Sequence, residues 1–263
     1  MSKLKVGVLG ATGMVGQRFV TILADHPWYE VAAVAASPRS AGKTYAEAVE
    51  GRWTQNVAIP SAVAKLTVQD VNEIDTIASE VDFVCCALDM EKDDIRNLEE
   101  AYAKAETPVI SNNSAHRWTP DVPMILPEIN PQHIEIVPAQ RKRLGTQLGF
   151  IAVKPNCSIQ PYVPAFHALQ EFGPSKASVC TYQAISGAGK TFATMPEMED
   201  NIIPYIGGEE EKSETEPHKI WGAIVKDEIV PRQSPLISAQ CIRVPVTDGH
   251  MAAVSVSFEQ KPS

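Results

Sequence analysis

The chain has 263 residues, of which 44% are hydrophobic and 21% charged, a composition typical of globular proteins. Its formal net charge of −9 argues against nucleic acid as a partner. Its apolar runs are shorter than the roughly 18 residues of a membrane helix, so no membrane partner is predicted. Its five cysteines have neither disulfide-framework nor zinc spacing. The sequence therefore predicts no metal and a reducing, cytoplasmic location.

Strand-length apolar runs alternate with helical patterns through the first half of the chain. Strands are predicted at residues 4–9, 31–36, 81–88 and 108–111, and helices at residues 14–25 and 93–105. This alternation predicts an α/β domain in which helices cover both faces of a parallel sheet. We expect this Rossmann-type, nucleotide-binding domain to span residues 1–154.

The pattern changes after about residue 153. Longer strands rich in β-branched residues are predicted at residues 178–185, 238–246 and 251–258, and the last alternates as a strand with one covered face does. We therefore expect a second, mixed α+β domain over residues 155–263, built on a more antiparallel sheet. The polar run GGEEEKSETE at residues 207–216 is predicted to be a loop or lid.

A glycine-rich turn, GATGMVG, follows the first predicted strand and precedes a helical pattern. Glycines here let the backbone approach a pyrophosphate at the N-terminus of the helix. The spacing Gly-x-x-Gly-x-x-Gly is a variant of the dinucleotide fingerprint, and the alternative is a turn whose glycines serve only packing. The predicted cofactor contacts in this turn are Gly10, Ala11, Thr12, Gly13, Met14 and Val15.

The end of the second predicted strand distinguishes between the two nicotinamide dinucleotides. NAD enzymes usually place an acidic residue there to bind the ribose hydroxyls. This chain has Ser37, Arg39 and Ser40 instead, with no carboxylate nearby. A guanidinium flanked by two hydroxyls suits a 2′-phosphate, so the sequence favours NADP(H) as the cofactor. The alternative is that Arg39 is an exposed loop residue that binds no ligand.

Cys157 is the candidate nucleophile. It precedes a predicted helix over residues 159–172, whose positive end would favour the thiolate. Asn156 is predicted to supply an amide donor to a developing oxyanion. The other four cysteines lie in apolar surroundings and are predicted to be buried structural residues. His250, in the turn TDGH between two predicted strands, is the best candidate for the acid/base partner.

Six motifs together resemble the aspartate-semialdehyde dehydrogenases, most closely the branch found in archaea and fungi. GATGMVGQRF, SNNSAHR, KPNCS, TYQAISGAG, the Glu-rich segment ending at Lys212, and Arg243 with His250 occur in the family's order along the whole chain. The resemblance implies that the Cys157 thiolate attacks L-aspartyl 4-phosphate and releases phosphate. NADPH then reduces the thioacyl group to L-aspartate 4-semialdehyde, a step in the biosynthesis of Lys, Thr and Met.

The resemblance also implies roles for particular residues. His250 matches the acid/base residue, Gln183 the glutamine near the reacting centre, and Arg243 the arginine that binds the substrate carboxylate. Arg117 and Lys212 match phosphate-binding groups. Glu209 matches the carboxylate that faces the substrate amine, with Glu210 or Glu211 as alternatives in a shifted register. Ser186 and Gly187 match residues beside the cofactor.

The resemblance further implies a homodimer or homotetramer assembled through the second domain. It also implies relatives that continue beyond residue 263, so this catalytic and dimerisation domain is expected to be incomplete at its C-terminus. Three alternatives stay open: a related reductase such as malonyl-CoA reductase, a cysteine hydrolase, and an inactive NADP-binding module. Glu209, Lys212 and Arg117 favour an amino-acid acyl phosphate over a thioester of coenzyme A, and the glycine turn argues against a hydrolase.

Overall fold

The computed structural model describes residues 2–262, which divide into two units. The first unit comprises residues 2–123 and 135–154, and the second comprises residues 124–134 and 155–262. The segment Met124–Ile134 thus belongs to the second unit, although both of its neighbours in sequence belong to the first. Within the described residues, no helix is long and apolar enough to cross a membrane.

A six-stranded parallel sheet forms the centre of the first unit, in the order β3-β2-β1-β4-β5-β6. Its strands are β1 (Leu4–Leu9), β2 (Tyr29–Ala36), β3 (Val68–Asp70), β4 (Phe83–Cys86), β5 (Val109–Ser111) and β6 (Ile151–Val153). Val6, Val8 and Leu9 of the central strand β1 have no exposed surface, as expected of a parallel strand covered on both faces. The predicted Rossmann-type sheet is confirmed.

The helices of the first unit lie between these strands. They are α1 (Met14–Leu23), α2 (Tyr45–Ala48), α3 (Ser61–Ala64), α4 (Ile74–Glu80), α5 (Lys92–Lys104) and α6 (Val137–Leu144). The strand order reverses between β1 and β4, so the loops that follow these two strands diverge. In open α/β sheets a crevice for ligands forms at this point, beyond the carboxyl ends of the strands.

A three-stranded mixed sheet forms the centre of the second unit, in the order β10-β7-β11. The elements of this unit are α7 (Val163–His167), β7 (Pro174–Gln183), α8 (Glu209–Ile220), the hairpin β8 (Ala223–Val225) and β9 (Glu228–Val230), β10 (Leu236–Arg243) and β11 (Met251–Phe258). The prediction of a mixed domain is confirmed. Strands β7 and β11 pair antiparallel, as a more antiparallel sheet predicts, whereas β7 and β10 are parallel. A parallel pair needs a long crossover, and residues 184–235 supply it.

The polar run at residues 207–216 is largely helix and not a loop. Helix α8 begins at Glu209, where carboxylates in the first turn interact favourably with the helix dipole. Two further carboxylates of α8 accept backbone N–H groups of the edge strand β10. Glu210 bonds the N–H of Cys241 at 3.3 Å, and Glu214 bonds that of Ala239 at 3.0 Å. The run is polar because its side chains serve as hydrogen-bond acceptors for neighbouring backbone.

The single helix predicted over residues 159–172 is also wrong. Short 3-10 helices at Cys157–Ile159 and Gln170–Phe172 flank the five-residue helix α7. Pro161 and Pro164 lack the N–H that a helix interior requires, so α7 begins only at Val163, with Pro164 in its first turn, where proline is tolerated.

Candidate active site

The glycine turn between β1 and α1 closes tightly against neighbouring backbone. Gly10 has a φ of 80°, and a side chain there would collide with the backbone of Ala87. A side chain at Gly16 would collide with the carbonyl of Gly10. The N–H groups of Gly10 and Ala11 both donate to the Ala35 carbonyl, at 2.9 and 3.0 Å. The close backbone approaches at residues 10 and 16 leave no room for a Cβ, so both positions require glycine.

Two buried polar side chains fix this turn. Gln17, on the first turns of α1, donates to the carbonyls of Thr12 at 3.0 Å and Arg52 at 2.9 Å. The hydroxyl of Tyr45, on α2, donates to the Ala11 carbonyl at 2.8 Å. The turn is therefore tied both to its own helix and to the segment that carries Arg52.

A cavity of about 500 Å³ opens beside the glycine turn, within the first unit. Six of the residues predicted to bind the cofactor line it: Gly10, Thr12, Gly13, Ser37, Arg39 and Ser40. The other three residues predicted in the glycine turn do not. Ala11 is buried beneath the turn, while Met14 and Val15 begin α1.

Sequence reasoning missed two further cations in the wall of this cavity. Lys43 follows Arg39 in the same loop, and Arg52 lies beyond α2, where its guanidinium donates to the Ala48 carbonyl. Asp89 is the carboxylate that lines the same cavity. The closeness of Lys43 to Arg39 in sequence was a usable signal, whereas Arg52 depends on the tertiary fold. Three cations suit a dinucleotide that carries an additional phosphate.

In the second unit, Cys157 begins the 3-10 helix Cys157–Ile159 and is half-buried. A helix of three residues has too few aligned peptide dipoles for the electrostatic argument made from the sequence. Asn156 takes the capping role, since its Oδ1 accepts the N–H of Ser158 at 2.7 Å. The environment of the sulfur is therefore set by side chains that surround this turn.

Helix α8 braces the Cys157 turn at three points. Glu216 accepts the backbone N–H of Asn156 at 2.6 Å, and Glu209 accepts an N–H from its side-chain amide at 3.1 Å. The hydroxyls of Ser158 and Ser213 are 2.8 Å apart. Asn156, predicted to be an oxyanion donor, thus commits its Oδ1 and one amide hydrogen to holding the turn.

Of the three consecutive glutamates at residues 209–211, Glu209 reaches this turn. Its Oε1 also accepts from Lys212 Nζ at 2.7 Å. Burial raises the pKa of Glu209, but the hydrogen bond and charge of Lys212, with hydrogen bonds from Asn156 and Gln183, outweigh burial, so the pKa lies below its ordinary value. Glu209 is therefore a carboxylate at neutral pH. Glu210 bonds β10 instead.

Two buried acceptor oxygens of the second unit have no hydrogen-bond donor among the described residues. They are Glu209 Oε2 and Oε1 of Gln183, the last residue of β7. The Gln183 amide bonds the Thr181 hydroxyl through Nε2, at 3.2 Å. Buried acceptors are nearly always satisfied, so this pair indicates a place for a donor group such as an ammonium.

The backbone of Ala184 orients both His250 and Arg243. Its N–H donates to His250 Nδ1 at 3.1 Å, and its carbonyl accepts from Arg243 Nη1 at 2.9 Å. Gly187 lies between the two side chains. A Cβ there would be 2.8 Å from His250 Nε2 and 2.9 Å from Arg243 Nη1. The turn at Thr247–His250 was correctly predicted, since His250 immediately precedes β11.

The Arg243 guanidinium is buried and lies within electrostatic range of Cys157, the predicted nucleophile. Burial lowers its pKa, while Glu209, Cys157 and Cys241 act in the opposite direction because negative charge on them favours the cation. Cys157, Gln183, Glu209, Arg243 and His250 thus all belong to the second unit, joined by these hydrogen bonds and electrostatic contacts.

Two further predicted site residues form hydrogen bonds to backbone carbonyls of their own unit. Arg117 belongs to the first unit, where its guanidinium donates to the carbonyls of Lys154 at 3.0 Å and Asn112 at 3.3 Å. Ser186, in the second unit, donates its backbone N–H to the Thr247 carbonyl at 3.2 Å. Within residues 2–262 there is no cluster of three or more residues suited to hold a metal ion.

The remaining cysteines mostly follow the prediction. Cys85, Cys86 and Cys241 are buried, and burial raises the pKa of each. Cys180 is a correction, because it is half-buried on β7. Alternation along β7 turns Cys180 away from the face that buries Val179 and Thr181.

Two family models match the chain. The semialdehyde dehydrogenase NAD-binding domain matches residues 5–137, and the semialdehyde dehydrogenase dimerisation domain matches residues 166–263. An aspartate-semialdehyde dehydrogenase of Aspergillus fumigatus is 44% identical over 264 residues, covering 99% of this chain and 71% of the relative. One from Archaeoglobus fulgidus is 39% identical, covering 99% of this chain and 74% of the relative.

Solved structures are similar over the same extent. The aspartate-semialdehyde dehydrogenase of Candida albicans, solved with NADP, superposes with a TM-score of 0.84 at 37% identity, covering 100% of this chain and 73% of that one. The Vibrio cholerae aspartate-semialdehyde dehydrogenase II gives a TM-score of 0.73 at 27% identity, covering 98% of this chain and 75% of that one.

Proposed function

The chain belongs to the aspartate-semialdehyde dehydrogenase family, and we propose that it reduces L-aspartyl 4-phosphate to L-aspartate 4-semialdehyde with NADPH, releasing phosphate. The reaction passes through a thioester on Cys157. One observation carries the assignment: Cys157 lies within electrostatic range of the buried Arg243, in the same unit as the half-buried carboxylate of Glu209. His250 hydrogen-bonds the same backbone residue, Ala184, as Arg243 does. The alternative of a coenzyme A thioester reductase is not favoured by the named relatives.

Each ionic group of the substrate has a matching group in the chain. Arg243 is proposed to bind the α-carboxylate through its planar guanidinium. The pair of buried acceptors on Glu209 and Gln183 is proposed to receive the α-ammonium, which would satisfy both oxygens. Lys212 and Arg117 are proposed to bind the phosphate, and for these two the support is the family resemblance.

The cavity of the first unit fits NADPH. Gly10 and Gly13 line it and allow close approach of a pyrophosphate, while Arg39, Lys43 and Arg52 offer three positive charges for a 2′-phosphate. When bound, NADPH supplies the hydride that reduces the thioester. Ser186 and Gly187 are proposed to contact it as well.

The oligomeric state, domain bounds and location are proposed from the family and the sequence. The second family model is a dimerisation domain, which supports an oligomer, and we propose a homodimer or homotetramer. We further propose that residues 1–154 form the NADP-binding domain and residues 155–263 the catalytic and dimerisation domain. A cytoplasmic location is proposed on the cysteine pattern of the sequence.

The function is tested by following NADPH oxidation at 340 nm with enzymatically generated aspartyl phosphate. We expect turnover that requires both substrates and releases one phosphate for each NADPH oxidised. Cys157→Ala should be inactive, whereas the matched control Cys180→Ala should be active, since Cys180 lies on β7 away from the buried face. Reduction of malonyl-CoA without activity on aspartyl phosphate would overturn the assignment.

A further inference from the structure

A buried glutamine of the first unit links two parts of the wall of the cofactor cavity. Gln17, on α1, is 1% exposed. Its Nε2 donates to the Thr12 carbonyl at 3.0 Å and to the Arg52 carbonyl at 2.9 Å. Thr12 and Arg52 both line the cavity, whereas Gln17 does not. The side chain therefore joins the glycine turn to the segment that carries Arg52 without lining the cavity itself.

The oxygen of the Gln17 amide holds the same segment. Oε1 accepts the backbone N–H of Thr54 at 2.8 Å and the Thr54 hydroxyl at 3.0 Å. Both amide hydrogens and both lone pairs of the side chain are thus used. Loss of this amide would leave several backbone groups without their partners, which is costly. The position of residues 52–54 therefore depends on Gln17.

Aromatic packing gives this segment a second attachment. Trp53 lies edge-on to Tyr45, with 6.3 Å between the ring centroids. The Tyr45 hydroxyl in turn donates to the Ala11 carbonyl at 2.8 Å. Because these contacts do not involve Gln17, loss of its amide should displace Arg52 relative to the glycine turn without unfolding the unit.

We infer that Gln17 is a positioning residue that sets the preference for NADPH over NADH, because it holds Arg52 in register with the glycine turn. This inference rests on the proposed binding of NADPH in the cavity. The two cofactors differ by the 2′-phosphate alone, and Arg52 is one of the three cations proposed to bind it. A displaced Arg52 should therefore weaken the binding of NADPH more than that of NADH.

Gln140 provides a matched control in the same unit. It has no exposed surface, and its Nε2 donates to the carbonyls of Asp121 and Ile151, at 2.9 Å each. Its Oε1 accepts the backbone N–H of Ile151 at 2.6 Å. These three residues do not line the cavity. Replacement of either glutamine by methionine removes a similar set of hydrogen bonds, but the change at residue 17 alone should reach the cofactor.

The preference is measured by fluorescence titration of the whole chain with NADPH and with NADH. We expect Gln17→Met to lower the ratio of the two affinities by about tenfold, the lower end of the range for a hydrogen bond to a charged group, because Arg39 and Lys43 remain. Gln140→Met should keep the ratio of the unmodified chain, even where urea unfolding shows a loss of stability. An unchanged ratio in Gln17→Met would overturn the inference.

A double-mutant cycle tests whether Gln17 acts through Arg52. Arg52→Ala should lower the preference for NADPH by itself, and adding Gln17→Met should lower it no further, because two changes at one contact are not additive. Additive losses would refute the proposed route through Arg52. Gln17→Glu, measured in parallel, keeps the shape of the side chain but has at most one hydrogen for the two carbonyls. It should also lower the preference, so the test stands where the methionine variant fails to fold.

Hydrogen exchange without cofactor tests the bonds themselves. The Thr54 amide should exchange faster in Gln17→Met but not in Gln140→Met, where the Ile151 amide should exchange faster instead. Unchanged exchange at Thr54 would show that Gln17 does not hold this segment, against the inference. If the unmodified chain shows no preference for NADPH, the proposed cofactor site itself fails. A preference present in the unmodified chain and kept in Gln17→Met removes the inference alone.

Discussion

The narrow space at Gly187 allows a sharp test of the site. In Gly187→Ala, the new Cβ would lie 2.8 Å from both Cε1 and Nε2 of His250 and 2.9 Å from Arg243 Nη1. Carbon atoms pack at about 3.5–4.0 Å, so the two side chains must retreat by about 1 Å. Such a retreat strains their hydrogen bonds to Ala184, which are already 3.1 and 2.9 Å long.

A displacement of about 1 Å at reacting groups costs on the order of 100-fold in rate, equivalent to about 2.7 kcal/mol. We therefore expect kcat of Gly187→Ala to fall about 100-fold. The free energy of unfolding should change little, because Gly187 is exposed and only side chains need to move.

Steady-state kinetics and denaturant titration on the same samples separate these effects. Gly207→Ala is the matched control, since Gly207 is exposed and a Cβ there meets no atom within 4 Å; its kcat should equal that of the unmodified chain. A kcat for Gly187→Ala within twofold of the control would show that displacing His250 and Arg243 by about 1 Å does not impair turnover.

Three other outcomes are expected. Native alkylation should label Cys157 ahead of Cys85, whose pKa burial raises to about 12; equal labelling, read by mass spectrometry, would contradict the choice of nucleophile. Arg39→Ala should weaken NADPH binding by about 1.5–3 kcal/mol, the range for a hydrogen bond to a charged group, and leave NADH unchanged in fluorescence titrations; equal weakening would make Arg39 a loop-positioning residue. Burial raises the pKa of Glu99, so its contribution to stability is complete below the pKa of an unfolded glutamate and is lost as pH rises through the folded value. The stability of Glu99→Gln relative to the unmodified chain, measured by urea unfolding, should therefore increase as the pH rises above about 4; a constant difference would mean that Glu99 ionises normally.

The sequence patterns predicted correctly those features that depend mainly on neighbouring residues in the chain. Strand β1 was predicted with its observed ends, Leu4–Leu9, because an apolar run followed by a glycine turn has few other structures open to it. Strand β11 was likewise predicted as Met251–Phe258. Arg39 was found because its loop directly follows β2, and it lines the cavity.

The errors occurred where tertiary contacts override composition. Helix α8 was predicted to be a loop or lid because the run is so polar, whereas Glu216 and Glu214 bond the Cys157 turn and β10. Arg52 was missed because it reaches the cavity only through the fold of the segment after α2. No sequence pattern indicates the bond from Ala184 N–H to His250, which joins residues 66 positions apart.

The acceptors along α8 have a consequence for insertions and deletions. Glu209, Glu210, Glu214 and Glu216 each accept a specific N–H on the Cys157 turn or on β10. An α-helix turns by about 100° for each residue, so one inserted residue within α8 would direct the carboxylates beyond it away from their partners. A substitution of one glutamate removes one of these hydrogen bonds, whereas a change in the length of α8 disrupts several of them together. The spacing of these four glutamates is therefore the part of α8 that must be inherited unchanged, while exposed positions such as Glu211 are free to vary.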